Sequence, residues 1–166
     1  MYRLLIVDDD AYCQDVLSDA LESEEYELHK ADDGRTALRM AQRDQPDLVL
    51  LDVSMPKMDG VEVLRRLNAD ETTRHIPVIM VTALDSESQI AACLDNGAVD
   101  HVVKPFSNMV VRARVRAALR SYDAIQWQLS RALTDVLTDL PNRRAFDEDI
   151  ARRLACWNRR QVPFSL

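Results

Sequence analysis

Apolar residues in this chain gather into five short blocks, separated by stretches in which they recur every three or four positions. Leu4 to Val7, Leu48 to Leu51 and Val78 to Val81 are unbroken apolar runs bounded by turn formers. Such runs predict strands buried on both faces, because a strand with one wet face would alternate. Tyr26 to Ala31 does alternate, as expected at a sheet edge, and His101-Val102-Val103 supplies a fifth strand. Between the blocks, Val16, Leu17, Ala20 and Leu21 fall at helical spacing, as do Ala37, Leu38 and Ala41. Val61, Val63, Leu64 and Leu67 form a third such set, and Ile90, Ala91 and Leu94 a fourth, which Asn96-Gly97 terminates. Strands alternating with helices imply parallel βαβ units with right-handed crossovers. The predicted fold is a doubly wound, five-stranded parallel sheet of order 2-1-3-4-5, with a long C-terminal helix extending out of the domain.

Charge divides the chain. Residues 1 to 106 carry 22 acids and 10 bases and residues 107 to 166 carry 6 and 11, so the balance runs from −12 to +5 within an overall −7. That asymmetry predicts two modules. An acidic first module argues against nucleic acid as its ligand, since phosphate contacts need cations. No apolar run approaches the roughly 20 residues of a membrane span, and the amino terminus has no cleavage pattern, so the expectation is a cytoplasmic protein without a membrane partner. Cys13, Cys93 and Cys156 lack metal-like spacing and read as small hydrophobes in a reducing compartment.

The chemistry gathers where the strands stop. Asp8 and Asp9 follow the first strand, Asp52 ends the third, Thr82 the fourth, and Lys104 follows the fifth. In an open α/β sheet these positions share the crevice beyond the carboxyl ends of the strands. Each has a plain reading alone: a helix-capping acidic run, a β-branched strand residue, an ordinary turn before Pro105. Together they place three carboxylates in one small space, where like charges repel unless a cation intervenes. A hard divalent ion with oxygen ligands, Mg²⁺ above all, resolves that conflict and keeps waters for a phosphate. A carboxylate acceptor, a metal and a lysine together suit phosphoryl transfer to an aspartate.

LIVDDD, LLDVSMPKMDG, VIMVTA and VVKPF resemble, in sequence and spacing, the flavodoxin-like receiver domain of two-component response regulators over residues 2 to about 120. The resemblance implies that Asp52 accepts a phosphoryl group from a histidine kinase or phosphotransfer protein. It implies that Asp8, Asp9, Asp52 and the Ser54 carbonyl hold Mg²⁺, that Thr82 swings onto the new phosphoryl oxygen, and that Lys104 pairs with it. Self-hydrolysis would make the domain a timed switch. One departure is His101, at the place where the family usually has an aromatic that rotates inward with the threonine. An imidazole is smaller and can gain charge, and a surface histidine with no switching role stays open. His29 and His75 read as solvent-facing.

From Ser107 onward Val111, Val115, Ala118, Tyr122, Ile125, Leu129, Ala132 and Val136 alternate steps of four and three, a heptad seam. The first three are expected to pack on the sheet, and the rest to form a parallel two-stranded coiled coil over residues 121–138. Arg112, Arg114, Arg116 and Arg120 lie on this helix, with Asp95 and Asp100 on the preceding helix and strand. By the family resemblance, a homodimer through the fourth helix, fifth strand and fifth helix is expected, with charged pairs across it. Asp135, Leu137, Thr138, Leu140, Pro141, Asn142 and Arg143 resemble the opening of the diguanylate cyclase (GGDEF) domain, with Asp139 in place of the usual glycine. That resemblance makes residues 139–166 the truncated start of such a domain and implies that Asn142 helps bind guanine. Because the catalytic loop would lie further on, this chain is expected to be no cyclase itself. A full-length parent would use GTP and make cyclic di-GMP. The alternative reading is a phosphate-independent dimerisation module with a degenerate cyclase-like output. A nucleotide-binding enzyme is disfavoured, because the first strand leads into acids where a phosphate cradle needs glycines.

Overall fold

The computed structural model describes residues 1–22, 25–83 and 87–133. The chain divides into two compact units, residues 1–121 and 122–166, and the sheet belongs to the first. The elements run β1 (Tyr2–Val7), α1 (Ala11–Leu21), β2 (Tyr26–Ala31), α2 (Gly34–Asp44), β3 (Leu48–Asp52), α3 (Gly60–Ala69), β4 (Val78–Thr82), α4 (Glu87–Asp95), β5 (Asp100–Val103) and α5 (Asn108–Leu133). All four strand pairings are parallel and the order is β2-β1-β3-β4-β5, the predicted fold class and order.

The unbroken apolar runs follow from two cores. Side chains alternate across a strand, so Leu5, Val7, Val49, Leu51, Val78 and Met80 enter one core with Ala37, Ala41, Val63, Leu64 and Leu67. Their neighbours Leu4, Ile6, Leu48, Leu50, Ile79 and Val81 enter the other with Leu17, Ala20, Leu21, Val111 and Val115. Both β3 and β4 are buried at all five positions, whereas β2 at the edge is mostly half-exposed.

Three aspartates start helices. Asp10, Asp33 and Asp59 accept hydrogen bonds from the backbone N–H of Tyr12, Thr36 and Glu62, satisfying donors that the first turn leaves unpaired. After α4 the chain reverses through Gly97 at φ +96°, a left-handed conformation that a side chain resists.

On α5, Val111 and Val115 are buried and Ala118 packs against the same core, as expected of the seam's first three members. Leu119, outside the seam, is buried with them. Further along, Ile125 and Trp127 are exposed. Val136, the motif from Asp135 to Arg143 with Asn142, and Cys156 lie outside the described residues. Among those residues, no helix is long and apolar enough to cross a membrane.

One expectation needs correction. His29 is half-buried, with Nε2 3.1 Å from Glu27 Oε1, because residues two apart on a strand share a face. Within this chain Asp100 is engaged by the Arg114 guanidinium, one strand-to-helix step away. Arg112 likewise turns inward, donating from Nε to the Ala20 carbonyl at the end of α1.

Candidate functional site

Strand register builds the site. Val7 lies opposite Leu51, so Asp8 and Asp52 leave adjacent strands side by side. Asp52 lies opposite Val81 and Thr82 opposite Val103, which brings Thr82 and Lys104 to the same edge of the sheet. The Lys104 N–H donates to the Thr82 carbonyl at 2.7 Å, fixing where that side chain leaves the backbone. Its Nζ then reaches both acids, 2.7 Å from Asp8 Oδ2 and 2.7 Å from Asp52 Oδ1. Asp8 and Asp52 are 1% and 4% exposed, while Asp9 is open to solvent. One oxygen from each of the three lies within 4.8 Å of the others.

Backbone groups hold the carboxylates in place. The Ser54 N–H donates to Asp52 Oδ2 at 2.7 Å, and the Asp10 N–H to Asp8 Oδ1 at 2.9 Å. Beneath them the buried Gln14 amide donates to the carbonyls of Asp8, at 2.7 Å, and Ala31, at 3.0 Å, tying α1 to the ends of β1 and β2. Sequence reasoning passed over Gln14, since a lone polar residue on an amphipathic helix reads as exposed. The loop after β3 turns through Lys57 at φ +68° and returns at Gly60, whose N–H donates to the Val53 carbonyl at 2.9 Å. A Cβ on Gly60 would sit 2.1 Å from the Asp52 carbonyl oxygen, so the approach of α3 to the site needs glycine.

Burial, above all, pushes the Asp52 carboxyl above its ordinary value of 3.8, and the Asp8 charge adds to that. The Lys104 ammonium and the Ser54 N–H oppose it. For Lys104 itself burial favours the neutral amine, but its hydrogen bonds to Asp52 and Asp8 outweigh that and hold it strongly protonated. Cys13, on α1 beside these groups, has a thiol raised chiefly by burial and next by its hydrogen bond with Asp10.

The shift at Asp52 has a stability consequence. A carboxyl whose folded pKa lies above its unfolded one stabilises the fold fully only below the unfolded value, near 3.8, and that contribution is lost as pH rises through the folded pKa. Asp52→Asn cannot ionise, so in metal-free buffer at pH 7 it is expected to unfold at a higher urea concentration than wild type. The gap should close as pH falls toward 4. A lower midpoint at pH 7 would mean that pairing with Lys104 outweighs the cost of burying the charge.

The donor set fits Mg²⁺: three carboxylates, all hard oxygen ligands, with one solvent-facing member. Ser54 is exposed at the mouth of this cluster, and Thr82 is buried at the end of β4. Against this geometry, a family model described as the response regulator receiver domain matches residues 4–116. The chain belongs to the response regulator receiver family.

Its similarity to curated receivers is confined to part of them. Response regulator PleD of Caulobacter vibrioides is 48% identical over 118 residues, which are 71% of this chain and 26% of PleD. The DNA-binding dual master transcriptional regulator RpaA of Synechocystis is 44% identical over 125 residues, 75% of this chain and 52% of RpaA. The chain thus spans between about a quarter and a half of these relatives. Among solved structures, a putative response regulator from Chloroflexus aurantiacus matches with TM-score 0.69 and 33% identity over 72% of this chain and 98% of that one. Vibrio cholerae chemotaxis protein CheY4 matches with TM-score 0.67 and 30% identity, over 71% and 98% of the two chains. The receiver fold and an acidic pocket of the kind receivers use for Mg²⁺ are therefore properties of this chain.

Proposed function

We propose that Asp52 takes a phosphoryl group from the phosphohistidine of a histidine kinase or phosphotransfer protein. The supporting observation is the Lys104 ammonium set 2.7 Å from both Asp8 and Asp52, with Asp9 completing the carboxylate cluster. Asp8, Asp9 and Asp52, with the Ser54 carbonyl, would hold Mg²⁺, which when bound offsets the charge of the phosphoryl oxygens. An Asp52 carboxylate oxygen attacks phosphorus, the phosphorus–nitrogen bond breaks, and the imidazole departs carrying a proton. Thr82 then donates its hydroxyl to one phosphoryl oxygen and Lys104 pairs with another, while later attack by water restores the carboxylate.

In this reading the signal leaves through α4, β5 and α5, where Leu94, Val99, Met109 and Val110 are exposed. Exposed apolar side chains on these elements suit a homodimer, continued by the linker at 121–138. In a longer cytoplasmic parent, the segment from 139 would open a cyclase domain. Asn142 would contact the guanine of GTP there, and pairing two such domains would permit cyclic di-GMP synthesis.

Two measurements on the full chain test this. Radiolabelled acetyl phosphate with Mg²⁺ is expected to label wild type and leave Asp52→Asn unlabelled. Light scattering with beryllofluoride and Mg²⁺ is expected to show a shift to dimer in the wild type alone. Equal labelling would reject Asp52 as acceptor, and equal dimerisation would favour a module that pairs without phosphate.

A further inference from the structure

Every polar group of Asp8 is held. Its N–H donates to the Ala31 carbonyl at 3.2 Å, Oδ1 accepts from the Asp10 N–H at 2.9 Å, and Oδ2 accepts from Lys104 Nζ at 2.7 Å. Its carbonyl accepts from Gln14 Nε2 at 2.7 Å, the one donor to that oxygen among the described residues. Nε2 also donates to the Ala31 carbonyl at 3.0 Å, so both protons of the amide nitrogen are used. Gln14 is buried, and α1 sets Leu17, Ala20 and Leu21 into the core, so the amide projects from a fixed element.

The Asp8 carbonyl belongs to the peptide unit that joins Asp8 to Asp9. A peptide unit is planar, so the direction of its C=O fixes the direction in which the next Cα leaves. Gln14 thereby sets where the Asp9 carboxylate stands relative to those of Asp8 and Asp52, which it approaches within 4.8 Å. Without the amide the buried carbonyl would lose its donor, a cost that the chain relieves by tilting the peptide unit toward another one. Asp9, exposed and at the far end of that unit, would swing with it. Mg²⁺ demands near-ideal octahedral geometry, with ligands at about 2.0 to 2.1 Å, so a small rotation is enough to weaken its hold.

We propose that Gln14 is a positioning residue for the Mg²⁺ site. From α1 it holds the peptide unit between the two leading acids and so raises the affinity of the pocket for the ion, touching neither the ion nor the phosphoryl group. The proposal rests on the reading of Asp8, Asp9 and Asp52 as the carboxylates that hold Mg²⁺. Removing a group that orients metal ligands costs about 10- to 100-fold in affinity, and an effect relayed through one peptide unit belongs at the lower end. The coupling is reciprocal: if the amide strengthens ion binding, the ion must strengthen the amide's hydrogen bonds by the same factor.

The test is a titration of the full chain with Mg²⁺ alone, followed by NMR of the backbone amides at 8–10 and 52–54, for wild type, Gln14→Met and Leu17→Ala. Methionine keeps the length of glutamine and removes both donors. Its midpoint is expected at about tenfold higher Mg²⁺ than wild type. Leu17→Ala loosens the same helix from the core without touching either carbonyl, and is expected to keep the wild-type midpoint. In wild type, exchange of the Gln14 side-chain amide protons with solvent should slow about tenfold when Mg²⁺ saturates the site. Equal midpoints in wild type and Gln14→Met, or equal losses in Gln14→Met and Leu17→Ala, overturn the positioning role and leave the metal reading intact. An exchange rate indifferent to Mg²⁺ does the same, and it decides the matter should a variant misfold. Absence of any saturable response to Mg²⁺ in wild type overturns the metal reading and the positioning role together.

Discussion

Gly60→Ala is expected to destabilise the receiver by about 3 kcal/mol, at the upper end of ordinary overpacking costs. The added Cβ would lie 2.1 Å from the Asp52 carbonyl oxygen, 2.9 Å from its carbon and 3.0 Å from Val53 Cα. All three are backbone atoms of the segment that carries the acceptor, so no side chain can swing aside. Either α3 backs away from the sheet, opening the core around Val63 and Leu64, or Asp52 shifts relative to Lys104. Urea denaturation measures the first consequence and beryllofluoride affinity the second, and both should worsen. Gly34→Ala is the control. Its Cβ would meet Val63 Cγ2 at 2.6 Å and the Met58 sulfur at 3.0 Å, side-chain rather than backbone atoms, so a smaller loss, about 1 to 2 kcal/mol, is expected. Equal losses at the two glycines would show that α3 is not pinned to the Asp52 backbone.

Reading this site from sequence worked where position along a strand decides geometry. Once Leu48 to Leu51 is a buried parallel strand, Asp52 must emerge at the carboxyl edge, and the same reasoning places Asp8, Thr82 and Lys104. Sequence patterns are weaker where a side chain can turn either way. Gln14 sits on a helix whose polar positions mostly face water, yet it is buried against two carbonyls, a role set by the distance from α1 to the ends of β1 and β2. Asp100 and Arg114 are fourteen residues apart and carry opposite charges; only the packing of α5 against β5 decides that they meet within one chain. Likewise, Gly60 announces a turn, but not that the Asp52 carbonyl fills the space its side chain would need.

Lys104→Met should expose what holds the acidic pocket together. The ammonium touches two carboxylates that are almost wholly buried, and the methionine that replaces it keeps the stem's bulk without the charge. Breaking a buried pair by removing one partner costs about 3 kcal/mol, because an uncompensated charge remains. Here two remain, each with one backbone N–H as its other contact, from Asp10 and Ser54. In the presence of a chelator at pH 7, the variant's urea midpoint should therefore fall by the equivalent of about 3 kcal/mol. Lowering the pH should narrow the deficit, since protonating either carboxyl removes the repulsion. Mg²⁺ should narrow it more strongly, because the divalent ion no longer competes with an ammonium for the same oxygens. At a hundredfold excess over its dissociation constant the ion would add about 2.7 kcal/mol. Asp52→Asn in the Lys104→Met background should recover much of the loss, so the two substitutions are expected to be strongly non-additive. Additive losses, or a Lys104→Met midpoint equal to wild type in chelator, would mean that the lysine is incidental to the carboxylates. The crevice would then need no cation to remain folded, and the electrostatic basis for placing Mg²⁺ there would be lost.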